Sequence, residues 1–210
     1  MAGFANVKEV VDAELTGASR FSTWRKSPSQ VTTARIWFDL SMSPGNPVPK
    51  YWFDAPPLIA KTVAQSTDGG LYHGLAVSPL KKYLRETTQI AIVATALPMP
   101  MILCDYLLYY PSIDDSTLDP QIMDNTVTLP RYTDGAGVQM IALSVAGRTG
   151  GQTFSVTYTN QDGVAGRVTP NVPQNSAASI GSIITSDGAA VNTAGPFIPL
   201  QAGDTGVRSV

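Results

Sequence analysis

Few residues in this chain have side chains suited to catalysis or metal binding. His73 is the only histidine and Cys104 the only cysteine, so any Ser-His-Asp or Cys-His scheme has to use one of them. The sequence around His73, GLYHGLAV, is typical of a strand and contains no nucleophile elbow. One histidine and one cysteine also disfavour a zinc site. We therefore predict no catalytic residue, no metal site and no cofactor.

Carboxylates are concentrated in the stretch from Ser112 to Asp124, which contains Asp114, Asp115, Asp119 and Asp124. Such clusters hold Ca²⁺ or act as an acid–base pair in glycoside cleavage. The residues from Asp114 to Leu118 lack the glycine and the closing glutamate of an EF-hand loop. A solvated loop is the favoured interpretation, and a structural cation site and a glycan hydrolase site are the alternatives.

Cys104 lies in the apolar run from Met101 to Tyr110, so we expect a buried and unreactive thiol. A single cysteine rules out an internal disulfide and makes a disulfide-stapled secreted scaffold improbable. Residues 1–15 carry four charges and no signal-peptide pattern, which indicates synthesis in a reducing cytosol.

The 210 residues carry little charge, and charge does not point to a polyanionic partner. Charged residues make up 14% and the net charge is −2, against about 25% charged residues in an average domain. No global field draws the chain to nucleic acid or to an acidic membrane. The apolar stretch from Ile90 to Cys104 is shorter than the ~18 residues of a membrane helix and contains two prolines. It predicts two buried strands, Gln89–Ala96 and Met101–Tyr110.

The strongest architectural signal lies between Asn125 and Pro170. From Gln152 to Thr159 apolar and hydroxyl side chains alternate, which is typical of a half-buried strand. Asn160–Gly163 is a turn sequence, after which Val164–Thr169 returns as the partner strand. The apolar run Val138–Val145 precedes them. The pattern predicts a three-stranded meander.

Turn residues are frequent along the whole chain, with 18 glycines and 16 prolines. Roughly ten short strands separated by turn signals indicate a mainly β protein, a β-sandwich or jelly-roll-like domain of short antiparallel strands. We predict two regions, an N-terminal helix and extended arm in residues 1–32 and the β domain in residues 33–210.

The arm is a candidate partner interface. Apolar residues at helical spacing predict a helix in residues 1–16 that ends at Thr16-Gly17. Aromatic and basic residues of the kind that dominate interfaces follow it. The candidate interface residues are Arg20, Phe21, Trp24, Arg25 and Lys26 in the arm, with Arg131 and Tyr132 in the β domain. An arm that folds back on its own domain is the alternative.

Three runs, Leu129–Gln139, Val156–Val164 and Phe197–Val207, resemble structural proteins of tailed bacteriophage virions. The resemblance implies a non-enzymatic capsid auxiliary protein of the decoration or cement type, made in the host cytoplasm and located in the virion. Its partners would be the major capsid protein and other copies of itself, with no nucleic acid, membrane or small-molecule substrate.

The alternative is a tail or fibre-base component, or a module that binds a receptor or glycan. Aromatic side chains that could form a sugar-stacking platform are Trp37, Trp52, Phe53, Tyr106, Tyr109 and Tyr110.

Overall fold

The computed structural model describes residues 4–27, 36–50, 56–64, 66–75, 77, 81–88, 90, 100–147, 151–176, 179–185 and 195–210. The chain divides into two compact units. Unit 1 combines residues 1–23 with 72–105, and unit 2 combines residues 24–71 with 106–210. The predicted boundary between residues 32 and 33 lies outside the described residues, and so does most of the predicted strand Gln89–Ala96.

Unit 1 contains the helix α1, Val7–Leu15, as the apolar spacing predicted. Asn6 caps it, because its side-chain oxygen accepts a hydrogen bond from the Glu9 amide at 3.1 Å. The Glu9 carboxylate reaches back and accepts a hydrogen bond from the amide of Ala5, the residue before the cap, at 2.8 Å. Gly17, with a φ of +73°, ends the helix in the left-handed conformation that glycine favours.

The segment from Tyr83 to Arg85 contacts the residues around α1. The rings of Phe4 and Tyr83 lie 5.6 Å apart between centroids, and Arg85 forms an ion pair with Glu14. Both ion-pair partners are exposed to solvent, where such a pair contributes little to stability. Within the part of the chain that the structure describes, no helix has the length and apolar character needed to cross a bilayer.

Apart from a 3-10 helix at Leu40–Met42, the rest of the regular structure in the described residues is β, in agreement with the predicted class. Short strands are present at β1 Arg25–Lys26, β2 Gly45–Asn46, β3 Lys61–Thr62, β4 Leu108–Tyr109, β5 Thr153–Phe154, β6 Thr157–Asn160, β7 Arg167–Val168, β8 Val172–Pro173 and β9 Val207–Ser209. The pairings between these described strands are antiparallel: β1 with β2, β3 with β4, β5 with β8, and β6 with both β7 and β9. The isolated bridge between Ile59 and Asp124 is parallel.

The alternation and the turn predicted in this region are confirmed, but the predicted strand Gln152–Thr159 is divided into β5 and β6, which pair with different strands. Tyr158 is buried, and Phe154 and Val156 on the same face are half-buried, whereas the side chains between them are exposed. Gly163, with a φ of +78°, closes the turn by donating its amide to the Asn160 carbonyl at 3.0 Å.

The predicted third strand of the meander was wrong. The other neighbour of β6 is β9, with Thr159 opposite Ser209. In the segment 138–145 the Val138 carbonyl accepts a hydrogen bond from the Val207 amide of β9, and Leu143 forms an antiparallel bridge to Ile183. The local pattern identified an apolar extended segment there, but it held no information about which distant segment would pair with it.

A buried segment, residues 181–185, joins two parts of unit 2. Ser182 is fully buried and forms an antiparallel bridge to Phe38. Its carbonyl accepts a hydrogen bond from the Ser144 amide at 2.8 Å on the other side. The buried apolar residues described in unit 2 are Met42, Ala60, Leu107, Tyr109, Leu129, Tyr158, Val172, Ile183, Ile198 and Val207.

The predicted burial of residues 101–104 was also wrong. Met101, Ile102 and Leu103 are each about half exposed or more, at 47, 46 and 63%. Cys104 is exposed as well, so its thiol is not the buried one expected from its apolar neighbours. The reason is that these residues belong to unit 1, in which no described residue is buried.

Candidate functional site

Lys26 organises the loop that carries β2. Antiparallel pairing of β1 with β2 sets Lys26 opposite Gly45. Its ammonium group donates hydrogen bonds to the carbonyl oxygens of Ser41, Ser43 and Pro47, at 3.0, 3.1 and 2.7 Å. All three donors of the ammonium group are therefore used inside unit 2.

Trp24 packs on the same region of unit 2. Its indole nitrogen donates to the Gly69 carbonyl at 3.1 Å, and Lys26 Nζ lies 5.9 Å from the centre of its ring. That distance is within the range of a cation–π contact. Arg25, between them on the strand, is exposed. Of the three candidate interface residues here, Arg25 is the one that points its side chain towards solvent, because neighbours on a strand face opposite ways.

Asp39 is a buried carboxylate close to this loop. One of its oxygens accepts the Ser41 amide at 2.8 Å, and the other, Oδ2, has no hydrogen-bond partner among the described residues. Burial raises the pKa of Asp39, and hydrogen bonds from Ser41 and Tyr106 and the charge of Lys26 oppose that rise. Burial likewise lowers the pKa of Lys26, against the charges of Asp39 and Asp68.

The other candidate residues of the arm lie in unit 1. Arg20 and Phe21 are both exposed, and Phe21 at 93% is almost fully so. An exposed phenylalanine in an extended segment gains nothing from its own unit, which makes it a candidate contact for another molecule.

Arg131 and Tyr132 begin a tight turn that lies against β9. Tyr132 is 57% exposed and has a φ of +53°, a left-handed backbone conformation that residues with a Cβ rarely adopt. The Gly135 amide donates to the Tyr132 carbonyl at 2.7 Å, which closes the turn. Arg131 and Tyr132 are thus displayed side by side at the surface of unit 2.

Gly135 allows this turn to lie against β9. It is buried, has a φ of +77°, and a Cβ at this position would lie 2.6 Å from the Val207 carbonyl oxygen. The neighbouring Ala136 forms an antiparallel bridge to Gly206. Only glycine permits both the conformation and the close approach, and the sequence Asp134-Gly135-Ala136-Gly137 gives the turn that freedom.

Beneath the hairpin lies a polar network centred on Asp204, whose side chain is only 3% exposed. One carboxylate oxygen accepts from the Tyr158 hydroxyl at 2.5 Å and from Arg167 Nε at 2.8 Å. The other accepts from the side-chain Nδ2 of Asn160 at 2.8 Å. The hydrogen bonds from Arg167, Tyr158 and Asn160 hold the pKa of Asp204 down at about 2, although burial opposes them.

The Asp204 network was not predicted from the sequence. Its side chains form hydrogen bonds with one another. Arg167 joins it because β7 pairs with β6 and sets Tyr158 opposite Arg167. A carboxylate that already accepts three hydrogen bonds, one of them from a guanidinium, is a poor general base. The network therefore fits a role in holding β6, β7 and the segment before β9 together.

The side chains with potential for chemistry are not assembled into a reactive cluster in the described residues. His73 is exposed in unit 1. No group of three or more His, Cys, Asp or Glu side chains in the described part of the chain is close enough to hold a metal ion.

In the acidic loop of residues 112–124, the side chains form hydrogen bonds with nearby residues of the same segment. Asp114 accepts hydrogen bonds from the amide and hydroxyl of Ser116 at 2.9 and 2.6 Å, which lower its pKa. Gln121 closes the loop, since its side chain both accepts from the Asp114 amide and donates to the Asp114 carbonyl. Asp124 accepts from the Thr126 amide at 2.8 Å.

Comparison of the chain with protein-family models, with curated proteins and with solved structures finds no match.

Proposed function

We propose that this protein is a structural component of a bacteriophage virion, an auxiliary capsid protein of the decoration or cement type that binds the major capsid protein. The observation that carries the proposal is the distribution of apolar side chains. Every buried apolar residue that the structure describes belongs to unit 2, whereas the large apolar side chains described in unit 1 are exposed, with the exception of the half-buried Val10. Exposed apolar surface of this kind is typical of a site for another protein.

Helix α1 illustrates the point. It contains no buried residue, and Val7 and Leu15 are 78 and 80% exposed. A helix of nine residues is only marginally stable without tertiary contacts. Docking of α1 on a capsid subunit would bury its apolar stripe and stabilise the helix.

The low charge and the resemblance of three runs to virion proteins support the same function. Contacts made by largely uncharged surface gain strength from apolar area and from repetition, and a capsid lattice offers many identical sites. A protein that binds only the assembled shell stabilises that shell by mass action. No bond has to be made or broken for this role.

We infer further that unit 2 is a β-sandwich or jelly-roll-like domain. What supports this is the long-range character of its antiparallel pairings: β3 pairs with β4 and β6 with β9, each across more than forty residues. Long returns of this kind are typical of Greek-key connections in such folds.

Binding to particles tests the function directly. Phage heads assembled without this chain are mixed with the purified protein, and bound protein is measured after sedimentation. We expect saturation at a fixed ratio of this chain to the major capsid protein and a higher temperature of head disruption. Binding to tails with none to heads would instead support the tail-component alternative and overturn the capsid assignment.

A further inference from the structure

We propose that the loop of residues 41–47 is a binding cage for a primary ammonium group, and that the side chain of Lys26 is its built-in ligand. When the lysine side chain is removed, a free alkylammonium ion of matching size should bind in its place. None of this depends on the proposed function, because every contact involved lies within unit 2.

Carbonyl oxygens of the loop converge on one point. Those of Ser41, Ser43 and Pro47 lie 3.0, 3.1 and 2.7 Å from Lys26 Nζ. Three carbonyls around one nitrogen accept three N–H bonds and offer no donor to a lone pair, so the bound form is the charged ammonium. Backbone carbonyls that replace the hydration shell of a cation also form the sites of monovalent ions in channels.

The dimensions of the cage select the kind of cation. The three distances, 2.7–3.1 Å, are those of N–H donors bonded to carbonyl oxygens. A calcium ion needs about 2.3–2.6 Å and six to eight oxygen ligands, and magnesium about 2.0–2.1 Å. An ion with three N–H donors fits the cage as it stands.

Negative charge and an aromatic ring complete the surroundings. The charges of Asp39 and Asp68 favour the ammonium form, and they oppose the burial that lowers the pKa of Lys26. Asp39 is 8% exposed, and its Oδ2 has no hydrogen-bond partner among the described residues. Such a carboxylate is costly to bury without a positive charge nearby. The ring centre of Trp24 lies 5.9 Å from Lys26 Nζ, and an aromatic face attracts ammonium cations.

The cage is held in shape by parts of unit 2 other than Lys26. The 3-10 helix Leu40–Met42 is capped by Asp39, whose Oδ1 accepts the Ser41 amide at 2.8 Å. Gly69 lies directly against the Ser41 carbonyl, so that a Cβ on the glycine would collide with that oxygen. These contacts do not involve the lysine side chain. A site that keeps its shape without its ligand binds a replacement at low entropic cost.

Chemical rescue tests the site. Lys26→Ala removes everything beyond Cβ, and propylammonium has the three carbons and the ammonium group that are then missing. We expect the urea midpoint of Lys26→Ala to lie below that of the wild type and to rise with propylammonium, recovering about half of the loss at roughly 0.1 M. The wild type and Arg25→Ala, which lacks only an exposed side chain, should not respond. If Lys26→Ala is unfolded in buffer, the same titration should restore its folded signal.

Two further salts separate recognition of the ammonium group from charge alone. Sodium chloride supplies ionic strength, and tetramethylammonium chloride supplies a cation without N–H donors. Neither should raise the midpoint of Lys26→Ala by more than it raises that of the wild type. If propylammonium restores nothing, or if either salt restores as much, the loop is not an ammonium site and the inference is overturned.

Acetylation of the wild-type protein gives an independent measurement. Lys26 has to leave the cage and lose a proton before it reacts, whereas Lys81 is exposed. We expect Lys26 to be acetylated about 10-fold more slowly than Lys81 in the folded protein, as measured by mass spectrometry of peptides. Equal rates would show that the cage does not hold the lysine and would overturn the inference. The result of the head-binding assay changes none of these outcomes.

Discussion

The Tyr158 hydroxyl donates a hydrogen bond of 2.5 Å to the carboxylate of Asp204, 46 residues further along the chain. The same hydroxyl accepts the Gln201 amide at 2.9 Å. Tyr158 lies in β6 and Asp204 lies just before β9, so these bonds fix the approach of β9 to the hairpin. β9 also contacts the turn that contains Tyr132. β9 therefore connects the buried Asp204 network with that surface turn.

Protonation of Asp204 makes the free energy of unfolding depend on pH in the acid range. The pKa of Asp204 is about 2 in the folded protein, against an ordinary value of 3.8. Its contribution to the free energy of unfolding is therefore complete above about pH 4 and is lost as the pH falls towards 2. We expect the urea midpoint to decrease over that window. Urea unfolding measured between pH 2 and pH 6 checks this.

Asp204→Asn and Asp162→Asn are the paired variants for that experiment. Asp204→Asn should lower the midpoint at pH 6 and flatten its decline below pH 4, whereas the exposed Asp162 should matter little. Asp39 contributes a slope of opposite sign above pH 3.8, because its pKa is raised in the folded state. Both variants retain Asp39, so its contribution to the pH dependence of stability is the same in each. It cancels when their urea midpoints are compared. Equal acid sensitivity of the two would contradict the assigned role of Asp204.

Lys26 should matter for stability although it was expected at an interface. Lys26→Met removes the donor to three carbonyl groups, at Ser41, Ser43 and Pro47. We expect a loss of about 2–4 kcal/mol in the free energy of unfolding, because partly buried carbonyls are left without partners. Arg25→Met, at the exposed neighbouring position, should change it by less than about 0.5 kcal/mol. Chemical denaturation measures both, and similar losses would count against the role given to Lys26.

Lys26 also shows where sequence reasoning reaches its limit. The cluster of aromatic and basic residues predicted an interface, but the identity of a lysine does not reveal that a cis Asn46–Pro47 loop will surround it with carbonyls. The β6–β7 hairpin was predictable because its turn and alternation are local. The pairing of β6 with β9 was not, since it depends on closing a loop of more than forty residues.

The surface turn of residues 131–137 could be predicted only in part from the sequence. Arg131 and Tyr132 were singled out by residue type alone. The left-handed backbone of Tyr132 had no signal in the sequence, because tyrosine is not a residue that favours it. Gly135, whose amide closes the turn on the Tyr132 carbonyl, lies against β9, and this contact is a tertiary relationship that a local pattern does not encode.

Replacing the two glycines of this turn separates conformational strain from close contact. Gly135 and Gly137 have similar φ values of +77° and +74°. A Cβ at Gly135 would meet the Val207 carbonyl oxygen at 2.6 Å, whereas a Cβ at Gly137 would meet nothing within 4 Å. We expect Gly137→Ala to cost about 1 kcal/mol in the free energy of unfolding and Gly135→Ala about 2–4 kcal/mol. Thermal unfolding of both variants provides the comparison, and equal losses would show that β9 does not restrict this turn.

Truncation of the arm separates its docking role from its structural role. Deleting residues 2–22 removes α1 and Phe21 but keeps Trp24, which donates to the Gly69 carbonyl, and Lys26, which holds the loop of residues 41–47. Deleting residues 2–30 removes both. We expect the shorter truncation to keep the urea midpoint of unit 2 and to bind heads more weakly, because the exposed apolar residues of α1 are gone. The longer truncation should also lower the midpoint, by about as much as Lys26→Met. Tryptophan fluorescence and the sedimentation assay measure the two effects, and undiminished head binding by the shorter truncation would exclude α1 from the interface.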